Sequence, residues 1–142
     1  MKIKQLTEPE LLFKKFCDGY KYRDLAYLLS IFSKNITVWG TGVDEYRSGL
    51  KEIETQLTRD WSQSDEGEIR IMSFASTADD SLWTSAVCKA KIVMAGQDYV
   101  FEHLRCSLVI EQEDEVWKIA HMHSSFPDFR NTTNRSFPLV ID

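Results

Sequence analysis

The stretch from Asp98 to Phe126 holds most of the residues able to do chemistry: all three histidines, His103, His121 and His123, and a mid-strand arginine, Arg105. An arginine stays charged, so placing it among apolar residues requires an anion nearby. Two readings of Arg105 follow. Either it closes an internal salt bridge with Asp44 or Glu45, or its fork faces the carboxylate or phosphate of a small ligand, with His103 as second donor or general acid/base. His121-x-His123 puts two imidazoles on one side of a strand, a spacing open to a metal, but interface or core histidines account for it as well and no metal site is expected. Asp44, in the loop V-D-E-Y-R-S-G, is the one carboxylate placed as a candidate base, and a solvated loop charge explains it equally.

These residues need elements to position them. Thr7-Glu8-Pro9-Glu10 reads as a capping box with proline in the first helical turn. Leu12, Phe13, Phe16, Cys17 and Tyr20 then form one helical face. Asp24 caps a second helix with Leu25, Leu28, Leu29 and Phe32 inward. Asn35 to Trp39 is β-branched and reads as a strand, ended by Gly40-Thr41-Gly42. A loop leads to a third helix from about Leu50 to Trp61, with Leu50, Ile53, Leu57 and Trp61 on one stripe. From Glu68 the period changes to two, giving strands at about 68–77, 82–95, 98–111 and 116–125 with turn residues between them. Helices gathered on one face of a curved sheet follow from this order.

Composition narrows the function. The chain has 142 residues, 43% of them hydrophobic, and a net charge of -5. That length suits one domain over 1–142, with 127–142 as a C-terminal tail that is polar at first and then apolar. The acidic balance and the lack of a basic stripe argue against nucleic acid. No apolar run is long enough to cross a membrane, and the first residues lack a signal-peptide core, so a cytoplasmic protein is expected. Cys17, Cys88 and Cys106 read as buried packing residues, and the sequons at Asn35, Asn131 and Asn134 then carry no meaning.

The alternation leaves the faces open. On the third long strand Leu104, Cys106, Leu108 and Ile110 share one side, and Phe101, His103, Arg105, Ser107 and Val109 the other. On the last, Trp117, Ile119, His121 and His123 share a side opposite Val116, Lys118, Ala120, Met122 and Ser124. Both faces are partly apolar, so both need cover, and a two-fold dimer would cover the side the helices leave open.

The order of elements, the loop W-G-T-G-V-D-E-Y-R-S-G and the closing W-K-I-A-H-M-H-S-S resemble the nuclear-transport-factor-2-like superfamily, and within it the SnoaL-like proteins, over roughly residues 7 to 126. The resemblance implies a cone-shaped α+β fold: three N-terminal helices on a curved, mainly antiparallel sheet, a pocket in the open end, and a homodimer. Its members include cyclases, isomerases, dehydratases and plain binding modules, so it specifies fold better than function. Ketosteroid isomerases use a carboxylate base, a tyrosine and a protonated aspartate. Matching their motifs puts Gly40, Phe16 and Arg105 in those three places, and that chemistry is rejected.

The same matching implies a pocket of Phe101, His103, Arg105 and Ser107 with Ala90, Ile92, Met94, Ala120, Met122 and Ser124, joined by Phe16, Tyr20, Trp39 and Tyr46. Phe13, Phe16, Tyr20, Trp39 and Trp61 also fall at spacings that fit core packing. Leu104, Cys106, Leu108, Trp117, Ile119, His121 and His123 would face the dimer partner. The function expected is a small-molecule-binding or association module with an anion-accepting pocket and no cofactor. The alternative is a cyclase, isomerase or dehydratase acting on a small organic acid or polyketide-like substrate, with His103 or Asp44 moving the proton.

Overall fold

The computed structural model of the protein describes residues 4–138. Helix α1 spans Glu8–Lys21, and its start is the expected capping box: Thr7 N–H donates to Glu10 Oε1 at 2.9 Å and Glu10 N–H to Thr7 Oγ1 at 3.4 Å. Both residues are buried, so these bonds form where water cannot replace them. Helix α2, Leu25–Ile31, is capped by Asp24, which accepts from the Tyr27 N–H. The two helices cross closely at Gly19, where an added Cβ would lie 2.6 Å from Leu28 Cδ2.

Strand β1, Phe32–Trp39, begins three residues before the expected start because the chain turns extended directly at the end of α2. The loop that follows holds an unexpected short strand, β2, Tyr46–Ser48, paired antiparallel to β1. Helix α3 spans Leu50–Ser62, and Gly49 before it takes a φ of +85°, which favours glycine. Four long strands follow: β3 Glu66–Phe74, β4 Trp83–Met94, β5 Gln97–Glu113 and β6 Val116–Ser125.

The six strands form one sheet in the order β2-β1-β6-β5-β4-β3, antiparallel except where β1 lies parallel to β6. The three helices pack on one side of it. This is an α+β fold, a bent open sheet wrapped over helices, with Phe13, Leu28, Ile36, Leu108, Ile110 and Ile119 fully buried between the layers.

Bulges bend the sheet, and they change which side chains point inward. Between β4 and β5 the register slips where Cys88 pairs with Leu104 and Ala90 with Phe101, so Glu102 and His103 together oppose Lys89. His103 takes a φ of 61° to make the slip. Between β5 and β6 a second slip, at Ala120, separates the pairs Ile110–Ile119 and Val109–His121. A bulge adds one residue, and one residue reverses the parity of everything beyond it.

Four expected interface residues are therefore core residues of the protomer itself. Leu104, Cys106, Leu108 and Ile119 are 5%, 2%, 0% and 0% exposed, and Trp117 packs against the same cluster. Conversely His103, Arg105 and Ser107 stand on the outer side of the sheet, away from the helices, and are exposed. His121 and His123 remain on that outer side, where His121 Nδ1 lies 2.7 Å from Thr37 Oγ1.

After β6 the described part of the tail is irregular. Phe126 lies 6.2 Å from the Phe101 ring, and Phe129 meets His103 edge-on at 6.1 Å. The apolar end of the tail, from 139, and the first three residues, on which the leader reading partly rests, lie outside the described residues. Among the described residues no helix is long and apolar enough to cross a membrane.

Candidate functional site

Between α1, α3 and the inner side of the sheet lies a cavity of about 310 Å³. Its walls come from regular spacings. Phe16 and Tyr20 stand one turn apart on α1, and Ile53, Gln56, Leu57 and Asp60 line one side of α3. Strands supply Phe32 and Val38 from β1, Ile69 from β3, Ala90 and Ile92 from β4, Phe101 and Leu104 from β5, and Met122 and Ser124 from β6. Phe126, Arg47 of β2 and the β1–β2 loop, through Gly40, Thr41 and Glu45, complete the rim.

Most of this lining is apolar, and the polar groups gather on α3. Asp60 accepts two hydrogen bonds, from Tyr20 Oη to Oδ2 at 3.1 Å and from Gln56 Nε2 to Oδ1 at 2.7 Å. Burial pushes the Asp60 carboxyl above the usual aspartate range, against the opposing effect of the two donors. Burial and the neighbouring Asp60 likewise raise Tyr20, so its hydroxyl keeps its proton and serves as a donor. The Tyr20 ring is held by Phe16 at 5.9 Å and Trp61 at 6.1 Å.

The rim has its own ion pairs. Arg59 donates to Asp44 Oδ2 at 2.9 Å and to Glu45 Oε1 at 3.1 Å, tying the β1–β2 loop to α3. Gly40 and Gly42 are small because the Glu45 side chain folds across them: a Cβ at Gly42 would lie 2.9 Å from Glu45 Cδ, and one at Gly40 would strike Glu45 Oε2. Neither glycine has a positive φ, so close approach, rather than backbone freedom, explains the G-T-G spacing.

Of the residues expected in the pocket, Phe16, Tyr20, Phe101, Met122 and Ser124 come together around the cavity, with Ala90 and Ile92. His103, Arg105 and Ser107 do not, because the bulge at His103 carries them to the outer side. The rings of Trp39 and Tyr46 meet at 4.5 Å, tilted by 44°, half-exposed on the outer side of β1 and β2. Met94 shares the side of Ala90 and Ile92 but sits at the end of the hairpin, 37% exposed. Asp44 is solvated at the loop, and the Arg59 guanidinium holds its carboxyl below the ordinary range, which makes it a poor base. Arg59 is also the cation that pairs with Asp44 and Glu45, the place considered for Arg105.

Asp60 and Gln56 were not among the expected site residues. A signal for them exists: Ile53, Gln56, Leu57 and Asp60 follow i, i+3, i+4, i+7, so a carboxylate and an amide share the inward side of α3.

A family model described as a SnoaL-like domain matches residues 10–128. The chain belongs to the SnoaL-like family. No curated protein matches this SnoaL-like chain by sequence at significance. Solved structures match its fold. A putative aromatic ring hydroxylase from Novosphingobium aromaticivorans has a TM-score of 0.69 at 16% identity, over 81% of this chain and 83% of that one. A putative calcium/calmodulin-dependent protein kinase II association domain from Xanthomonas campestris has the same score and identity over 89% and 96%. A putative polyketide cyclase from Sinorhizobium meliloti has a TM-score of 0.61 at 13% identity, over 80% and 92%. Identities this low carry the SnoaL-like fold and no function.

Proposed function

We propose that this SnoaL-like chain binds a small, largely apolar organic molecule in the cavity between α1, α3 and the sheet. The observation that carries the reading is a concave apolar site of about 310 Å³ with its polar groups gathered at Asp60, Tyr20 and Gln56. Such a site is the usual form of a small-molecule pocket. Propylbenzene, titrated while the backbone amide shifts are followed, is expected to perturb residues around Ile92 and Leu57. Ile92→Trp fills the space and should weaken that binding by about ten-fold or more. Shifts elsewhere, or binding that Ile92→Trp leaves intact, would overturn the reading.

An enzyme is the second reading, and Asp60 favours it over His103 or Asp44. A carboxyl raised by burial, in a cavity and beside a tyrosine hydroxyl, suits general acid/base work. In a cyclase- or isomerase-like reaction, Asp60→Asn would lower turnover by roughly 10²–10⁴-fold while His103→Gln left it unchanged.

A homodimer through the outer side of the sheet belongs to the same proposal. Trp39, Tyr46, Trp83, Val87 and Val109 are 41–49% exposed there, an apolar side that the helices do not cover.

A further inference from the structure

We propose that the ligand of the cavity is a small lipophilic amine, its ammonium held by Asp60 and Gln56 and its apolar body by the aromatic and aliphatic walls. This rests on the cavity being a binding site and names the class of molecule it takes.

Asp60 is a carboxylate in a largely apolar site with no cation within ion-pair distance among the described residues. Both its partners, Tyr20 and Gln56, are neutral donors. Carboxylates removed from water are ordinarily paired. The cations nearby are engaged elsewhere. Arg59 holds Asp44 and Glu45, and Arg47 Nη1 donates to the backbone carbonyls of Asp44 and Tyr46 at 2.8 and 2.9 Å.

The second observation is Gln56 Oε1, a buried acceptor with no hydrogen-bond partner. Its orientation follows from its other end: Nε2 donates to Asp60 at 2.7 Å, and a flipped amide would set oxygen against oxygen. The polar end of the cavity thus has acceptors to spare, on Asp60 and Gln56, while the Tyr20 hydroxyl is already given to Asp60. Beside Asp60 a carboxylate or phosphate would add further acceptors and a second negative charge. An ammonium brings three N–H donors and the absent positive charge, and the rings of Phe16 and Tyr20 add cation–π attraction. The anion-accepting pocket expected from Arg105 is replaced by its opposite.

The sign of the pH dependence follows. Burial raises the Asp60 carboxyl, and a bound ammonium favours its ionised form. Amine binding therefore releases a proton where Asp60 is partly protonated, and affinity falls as pH is lowered through that range. A simple alkylamine, like lysine with a pKa of about 10.4, stays charged throughout.

Three probes of matched shape test this: 2-phenylethylamine, propylbenzene and 3-phenylpropanoate, titrated calorimetrically and by amide shifts at pH 8. The amine is expected to bind about ten-fold or more tightly than the hydrocarbon, and the carboxylate more weakly than either. Asp60→Asn should bring the amine down to the level of the hydrocarbon, whose own affinity changes little. Gln56→Leu, the second variant should Asp60→Asn not fold, should also reduce the amine's advantage. If the hydrocarbon binds but the amine gains nothing over it, or the carboxylate binds best, the amine assignment is overturned and the apolar cavity stands. If no probe perturbs the cavity, both fall.

Discussion

Leu108→Ala is expected to lower the unfolding free energy by about 2–5 kcal/mol, whereas Val109→Asp, one residue away, should lower it by only about 1 kcal/mol. Leu108 is fully buried between the sheet and the helices, opposite Thr84 and Met122 on the neighbouring strands. Truncating it removes packed methyl groups and leaves a space the rigid strands cannot close. Val109 is 41% exposed on the other side, between Trp83 and His121. An aspartate there keeps its water in a free protomer. In the proposed homodimer it is taken out of water within an apolar contact, so sedimentation should show the variant dissociating. Urea unfolding at low protein concentration and sedimentation at high concentration separate the two effects. If Leu108→Ala instead dissociated the protein at little cost in stability, the inward assignment of this side of β5 would be wrong.

Arg23→Met is expected to cost about 2–3 kcal/mol, because it removes three hydrogen bonds from a charged donor and leaves two backbone carbonyls unmet. Arg23 stands between α1 and α2 with a φ of 55°, and its guanidinium donates to Trp61 O at 2.7 Å and to Ser64 O and Oγ at 3.0 Å each. These bonds hold the end of α3 against the α1–α2 junction. Asp60 is in that last turn, and its partner Tyr20 is at the end of α1, so the clamp also sets their 3.1 Å contact. Faster amide exchange over 59–64 and a weaker advantage for the amine probe should accompany the loss of stability. Arg23→Lys should recover little of it, since one ammonium cannot span carbonyls on two residues as the fork does. Unchanged exchange in the last turn of α3 would show that the helix end holds without the clamp.

Much of the fold is legible in local chemistry. The Thr7–Glu10 box, the Asp24 cap, the stripes Leu12–Phe13–Cys17 and Ile53–Leu57, and the turns between the long strands depend on residues a few positions apart, whose interactions the order of the chain already displays. The part of the cavity that was anticipated, Phe16, Tyr20, Ala90, Ile92, Phe101, Met122 and Ser124, follows from those elements and the family resemblance. Strand β2 was not legible: three residues, Tyr46–Ser48, form a strand only because β1 lies beside them.

The histidines and Arg105 mark the limit. By itself the sequence determined where helices and strands lie, that the two sides of each strand differ, and that the chain resembles SnoaL-like proteins. Only the tertiary structure decided which side faces the helices, because that depends on bulges at His103 and Ala120 through which the sheet bends around its core. Local alternation has no term for an extra residue whose cost is met by curvature, yet that residue moves Arg105 outside and Leu104 inside. The approach of α1 to α3 likewise turned Asp60, a polar residue at the edge of a helical stripe, into the carboxylate at the centre of the candidate site.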